Sequence, residues 1–152
     1  MSARLSHGLP RLATDGNRII RLDTGEAVAL RGVNRSGLEY SEPGTRGFLA
    51  SAGITIEEIH HITRVWGANI IRLPFNQDWV LNGRGGRSPE EYLQALDQVI
   101  DWAAGFGAYT LLDLQWLSAE DDHGRLGDGS VNRIARLPDA LTPQLWRLLA
   151  AR

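Results

Sequence analysis

Arg72 is the residue whose position is hardest to account for without chemistry. It stands within residues 68–75 (ANIIRLPF), a short, nearly all-apolar run of the kind that parallel sheets bury on both faces. A guanidinium in such a strand needs an acceptor, because an unpaired buried charge is too costly to keep. Polar groups recur where similar runs end: Asn34 after 30–33, Asn76 two residues past Pro74, and Asp113, Gln115 and Trp116 at the end of 108–114 (AYTLLDL). A guanidinium can hold a carboxylate ionised and oriented, and an amide can hydrogen-bond hydroxyls without titrating. An indole face can stack against the face of a ring. Trp79, just past the second strand, is a second candidate for stacking, and Asn34 and Glu39 are candidates for touching a substrate.

Other clusters carry less. Glu39, Glu42 and Asp78 are loop acids, for which plain solvation is the commoner fate. Residues 119–130 hold Glu120, Asp121, Asp122, His123 and Asp128 without the spacing of a calcium loop, and His60-His61 lack the i, i+4 spacing of a zinc pair, so no metal site is expected. Gly83-Arg84-Gly85-Gly86-Arg87-Ser88 is nearly G-x-G-x-x-G and precedes a helix, which opens the alternative of a nucleotide-binding α/β domain. That motif needs its first glycine directly after a strand, whereas residues 76–82 intervene here.

The elements that must position these groups follow a strand-loop-helix rhythm. Residues 17–22 and 26–30 flank Asp23-Thr24-Gly25 as a β-hairpin, and 30–34 continue as a short buried strand. After a polar loop over 35–52, Thr55 and Glu58 form a capping box, with Ile56, Ile59, Ile62, Val65 and Trp66 at helical spacing and Gly67 as terminator. Ser88, Pro89 and Glu91 open a second helix whose inner face carries Leu93, Leu96, Val99, Ile100 and Ala103. A long polar loop over 115–140 leads to a third helix from Thr142-Pro143 to the last residue, and Trp66, Trp102 and Trp146 read as helix core. Strands alternating with helices argue for a parallel sheet. Long loops after the strands and minimal loops before them are the asymmetry of a (β/α)₈ barrel.

The chain has 152 residues, 43% apolar and 22% charged, with a formal net charge of −2, which suggests neither a nucleic-acid nor a membrane partner. All the basic residues are arginine, scattered and balanced by 18 acids, so no phosphate-binding patch stands out. Without cysteine there is no disulfide or thiolate site. The first twelve residues lack an apolar core, so no signal peptide is read and localisation stays open.

Three segments in order carry a resemblance. Residues 30–34 (LRGVN), 67–74 (GANIIRLP) and 97–114, with VIDWAA and then YTLLDL, resemble the first strand, second strand, and second helix with third strand of glycoside hydrolase family 5, the cellulase-like barrels. The resemblance runs from about Asn17 to Arg152. It implies one incomplete domain over 1–152: an N-terminal arm and hairpin over 1–30, then the first three β/α units of a partial TIM barrel over 31–152. The implied activity is that of a retaining glycosidase acting on a β-linked polysaccharide or glycoside without cofactor, using two glutamates about 5–5.5 Å apart.

In that family the glutamates lie at the fourth strand, within Asn-Glu-Pro, and at the seventh. This sequence contains no Asn-Glu-Pro, so both are expected beyond its end and the fragment alone is expected to be inactive. Arg72 matches the arginine that hydrogen-bonds the nucleophile, and its partner is expected outside the chain. Gln115 stands where many members have a histidine that contacts the sugar. A truncated, non-catalytic product is the remaining alternative, and open sheet edges make self-association an expectation.

Overall fold

The computed structural model describes residues 8–117 and 138–152. Strand β1 (Leu12–Asp15) pairs antiparallel with β2 (Arg18–Arg21), from Leu12 opposite Arg21 to Asp15 opposite Arg18. The hairpin therefore turns at Gly16-Asn17, earlier than the sequence suggested. Asp15-Gly16-Asn17 offers a tight two-residue connection, with Gly16 at φ 59° where a side chain would be strained. Asp23-Thr24-Gly25 still forms a turn, fixed by Arg21 donating to Asp23 through Nε (3.1 Å) and Nη2 (2.8 Å). Beyond it the expected second strand shrinks to one bridge, Ile20 to Ala27.

The central sheet is parallel in the order β3 (Gly32–Asn34), β4 (Ile70–Asn76), β5 (Tyr109–Trp116). Asn69 explains how the first two strands find their register. Its side chain accepts from the backbone N–H of Arg31 (2.7 Å) and donates to the carbonyl of Ala29 (2.9 Å), clasping the segment that leads into β3. Gly32 is obligatory in that register, because a Cβ there would lie 1.7 Å from the carbonyl oxygen of Ile70. Along β4 the alternation of period two puts Ile71, Leu73 and Phe75, all with no exposed surface, on the helix-covered side. Arg72 is thereby turned to the other side, the inner face of the curved sheet.

The helices cover the outer face. Helix α2 (Ile56–His60) starts at Thr55, whose hydroxyl accepts from the N–H of Glu58 (3.2 Å), but the expected box is only half formed, because the Glu58 carboxylate accepts from Arg35 Nε (2.7 Å) instead. It then widens into a π-helical turn, His61–Val65, where Thr63 donates its hydroxyl to the carbonyls of Ile59 (2.8 Å) and His60 (3.1 Å). The widened turn slips the helical phase. Ile59 and Ile62 stay buried, but Val65 and Trp66, expected in the core, are 62% and 64% exposed.

Helix α4 (Pro89–Gly105) has the full capping box, Ser88 to Glu91 in both directions, and buries Leu93, Leu96, Val99 and Ala103 as its periodicity demanded. Two short helices arise where the sequence reads as loop: α1 (Phe48–Ala52) and α3 (Gln77–Asn82), the latter capped by Asn76. Helix α5 (Thr142–Ala150) packs on α3. Trp102 is half-buried, whereas Trp146, expected in the core, is 40% exposed.

Two polar links, one buried and one partly exposed, hold these pieces in place. The hydroxyl of Tyr92, packed edge-on against Phe48 and Trp79, donates to the Leu38 carbonyl (2.9 Å) and accepts from the N–H of Asn76 (3.1 Å). It thus joins α4 to the 35–47 loop and to the end of β4. Burial pushes its pKa well above the usual tyrosine range. At the other side, Gln77 donates to both carboxylate oxygens of Asp139 (2.9 Å each) and accepts from the hydroxyl of Thr142 (2.8 Å).

Tyr92→Phe leaves the Leu38 carbonyl and the Asn76 N–H unpaired in the interior and is expected to cost about 1–3 kcal/mol, read as a lower urea midpoint at unchanged slope. The Gln77 amide, together with the backbone N–H groups of Leu141 and Thr142, holds Asp139 below the usual carboxylate range. Its contribution is therefore full above about pH 5 and is lost as pH falls through the depressed pKa. Asp139→Asn should lower the urea midpoint at neutral pH, with the difference from wild type shrinking as pH falls through and below the usual carboxylate range.

Candidate active site

The inner face of the sheet carries one polar cluster, and strand register builds it. Asn34, Arg72 and Leu111 lie side by side across β3, β4 and β5, and Asp113 is opposite Pro74, two residues further along. Residues two apart on a strand share a face, so Asn34, Arg72 and Asp113 must all project inward near the C-terminal ends. A register irregularity between Phe75 and Asn76 leaves Gln115 at the same rim.

The guanidinium of Arg72 is held from three directions. Nη1 donates to Asn34 Oδ1, and Nη2 donates to both Asp113 Oδ2 (2.6 Å) and Gln115 Oε1 (2.8 Å). Arg72 and Asp113 remain 35% and 30% exposed, open on the inner side. The expectation of an orphaned cation is therefore corrected: Arg72 has an acid partner within the chain. The sequence contained the signal, because period-two counting puts Arg72 and Asp113 on the same face of neighbouring strands. Yet the cation is not saturated. Of the five N–H donors of an arginine, those on Nε and one on Nη1 have no acceptor among the described residues.

Trp116 continues the rim. It is half-buried, and its ring lies 6.1 Å from that of Tyr40, tilted by 39°. Tyr40 is 49% exposed, and nothing in the sequence marked it, since its loop has no periodicity to aim it. Asn34, Arg72, Gln115 and Trp116 are thus brought to one end of the sheet.

Two expected residues are not. Trp79 is fully buried, packed on Phe48 and Tyr92 with centroids 5.9 and 5.6 Å away, so it has no face left for a sugar. The unexpected helix α3 turns it inward. Glu39 is also buried, at 4% exposure. Its carboxylate accepts from the N–H of Gly37 (2.7 Å), and its backbone carbonyl accepts from Asn76 Nδ2 (3.3 Å). It stabilises the loop rather than facing a ligand.

The other loop acids are engaged as well: Glu42 accepts from Arg84 Nε (2.8 Å), and Asp78 accepts from Asn82 (2.6 Å). In the glycine-rich loop, Arg84 and Arg87 exchange backbone hydrogen bonds (3.1 and 3.0 Å), and Gly83 sits where a Cβ would meet the Arg87 carbonyl at 2.1 Å. The loop follows α3, not a strand, and the amides of Arg84 and Arg87 are spent internally, which removes the basis of a phosphate cradle. Among the described residues no three His, Asp or Glu side chains converge as a metal site. The acidic loop with Glu120, Asp121, Asp122, His123 and Asp128 lies outside them.

Comparison with known proteins follows the same line. A family model, cellulase (glycosyl hydrolase family 5), matches residues 23–139. Among solved structures, a β-glucanase from Saccharophagus degradans in complex with cellotetraose shares 29% identity at a TM-score of 0.52, covering 69% of this chain and 28% of that one. An endocellulase from Pyrococcus horikoshii, also with cellotetraose, shares 26% at 0.51, covering 70% and 31%. An endogalactoceramidase shares 25% at 0.53, covering 67% and 22%. No curated protein matches the sequence. The chain spans less than a third of the length of each of these solved relatives.

Proposed function

The chain belongs to the cellulase family, glycosyl hydrolase family 5, and from that premise we propose that it supplies the first three β/α units of a retaining glycoside hydrolase cleaving β-linked polysaccharide. The observation that carries this reading is the half-engaged guanidinium of Arg72 on the inner face, at the C-terminal ends of the strands. Barrel enzymes place their chemistry at that end.

Asn34, Asp113 and Gln115 fix the plane of the guanidinium and leave two N–H groups for a further carboxylate. That carboxylate is the nucleophile, held ionised and aimed by charge-assisted hydrogen bonds. Gln115 spends its carbonyl on Arg72, so its amide N–H remains to donate to a sugar hydroxyl. Trp116 beside Tyr40 offers an aromatic platform for a ring. The bound cellotetraose of the two glucanase relatives favours a β-glucan as the polymer.

Retention of configuration needs two carboxyl groups facing one another across the scissile bond. At the strand ends the described residues provide one, Asp113, and it is already paired with Arg72. The fragment alone is accordingly expected to be inactive.

Three outcomes are expected. The 152-residue chain gives no turnover of aryl β-glycosides or soluble β-glucan above background, and turnover abolished by Glu39→Gln would overturn the assignment. Sequencing the transcript past the codon for Arg152 is expected to reveal a continuation encoding Asn-Glu-Pro. Its absence in every frame would sink the reading. In the extended protein Arg72→Ala should lower kcat by about 10²-fold or more, the usual cost of losing one preorganised electrostatic contact.

A further inference from the structure

The glycine-rich segment cradles no phosphate, and its geometry points to a different use. Arg84 and Arg87 bond each other's backbone in both directions (3.1 and 3.0 Å) across Gly85 and Gly86. Both glycines have positive φ, 58° and 78°, as a tight two-residue reverse turn requires. Residues paired directly across such a turn send their side chains to one face. The turn therefore presents two guanidiniums side by side, and both reach the 35–47 loop.

Arg84 donates to Glu42 Oε1 through Nε (2.8 Å) and Nη2, while its guanidinium carbon stands 5.9 Å from the ring centre of Trp79. Arg87 donates to the carbonyls of Thr45 (2.7 Å) and Gly44 (3.3 Å), with Nη1 on Glu91 (2.9 Å) in the first turn of α4. Between the two prongs the turn closes on Pro43, whose Cγ would lie 3.2 Å from a Cβ on Gly85. Unlike the hollow of about 400 Å³ between Val33, Ile62 and Trp66 at the outer strand β3, this contact joins two neighbouring units inside the chain.

Global stability is a poor account of these contacts. The Glu42 and Arg84 side chains are 55% and 31% exposed, and ion pairs at such exposure add little to folding. Their effect is local. Residues 35–47 form no helix or strand, and irregular segments open most easily unless pinned. This one is pinned at Leu38 by Tyr92, at Glu39 by Asn76, and at Glu42, Gly44 and Thr45 by the two arginines. Tyr40 lies between the anchored positions, with its ring against Trp116.

We propose that the Arg84-Gly85-Gly86-Arg87 turn is a positioning clamp, which fixes the 35–47 loop so that Tyr40 is already in place beside Trp116 when a sugar ring arrives. Arg84, Arg87 and Glu42 touch no substrate; they lower the cost of ordering the loop on binding. The proposal rests on the reading of the Tyr40–Trp116 rim as a glycan platform.

Nuclear magnetic resonance titration of the 152-residue chain with cellotetraose tests it, together with amide exchange at Ser41 and Gly47, whose N–H groups bond within the loop. Tyr40→Ala is the platform control. Glu42→Lys sets a second cation against Arg84; it should weaken binding about three- to tenfold and speed exchange at both amides, with the melting temperature unchanged. Adding Arg84→Glu restores an ion pair of reversed sign and should recover most of the affinity. Glu42→Lys is exposed and leaves the core untouched, so it decides alone if the double variant does not fold. Binding weakened by Tyr40→Ala but not by Glu42→Lys overturns the clamp and leaves the platform standing. Exchange unchanged by Glu42→Lys overturns the clamp as well, as does a folded double variant that recovers nothing. No binding by wild type sinks the platform reading, and the clamp's purpose with it.

Discussion

Three strands converge on one guanidinium, and much of the molecule is arranged to let them. Arg72 sits between Ile71 and Leu73, both without exposed surface, so its side chain can only leave β4 on the inner face. Asn34 and Asp113 reach it only if β3 and β5 keep their register with β4. That register depends in turn on Asn69 clasping the chain before β3 and on the missing side chain of Gly32. A slip of one residue in either outer strand would send Asn34 or Asp113 to the outer face and strand a cation among apolar neighbours.

The supporting layer shows the same economy. Tyr92 touches no candidate substrate group, yet its hydroxyl ties helix α4 to the Leu38 carbonyl and to the Asn76 N–H at the end of Arg72's strand. Asn76 caps α3 and holds the backbone of Glu39. Residues that looked like site candidates by position, Asn76, Glu39 and Trp79, are the struts of the rim, while Asn34, Arg72, Gln115 and Trp116 line its open inner edge. The division follows burial: the struts are at most 4% exposed.

Much of this was legible in the amino-acid order because it is local. Thr55 and Ser88 as caps, the apolar face of α4 and the strand-helix alternation all rest on contacts within a few residues. What escaped was non-local or hinged on one inserted residue. The hairpin moved because two turn signals competed and the tighter Gly16-Asn17 connection won. Trp66 left the core because a π-helical turn broke a periodicity that counts only in steps of 3.6. Helix α3 was hidden in a six-residue segment too short to show a repeat, and Trp79 was misplaced with it. The pairing of Arg72 with Asp113 spans 41 positions and becomes visible only once register is known.

The widened turn at His61–Val65 also bears on how this scaffold tolerates change in length. An extra residue has been absorbed in the last turn of the helix without disturbing Thr55 before it or Gly67 after it. Removal of one codon there would rewind the segment to an unbroken spiral, swing the indole of Trp66 towards Ile59 and Ile62, and erase the hollow beside Val33. The outline of that flank is thus set by residue count more than by side-chain identity, and insertions or deletions, rather than point substitutions, are the variation that would reshape it.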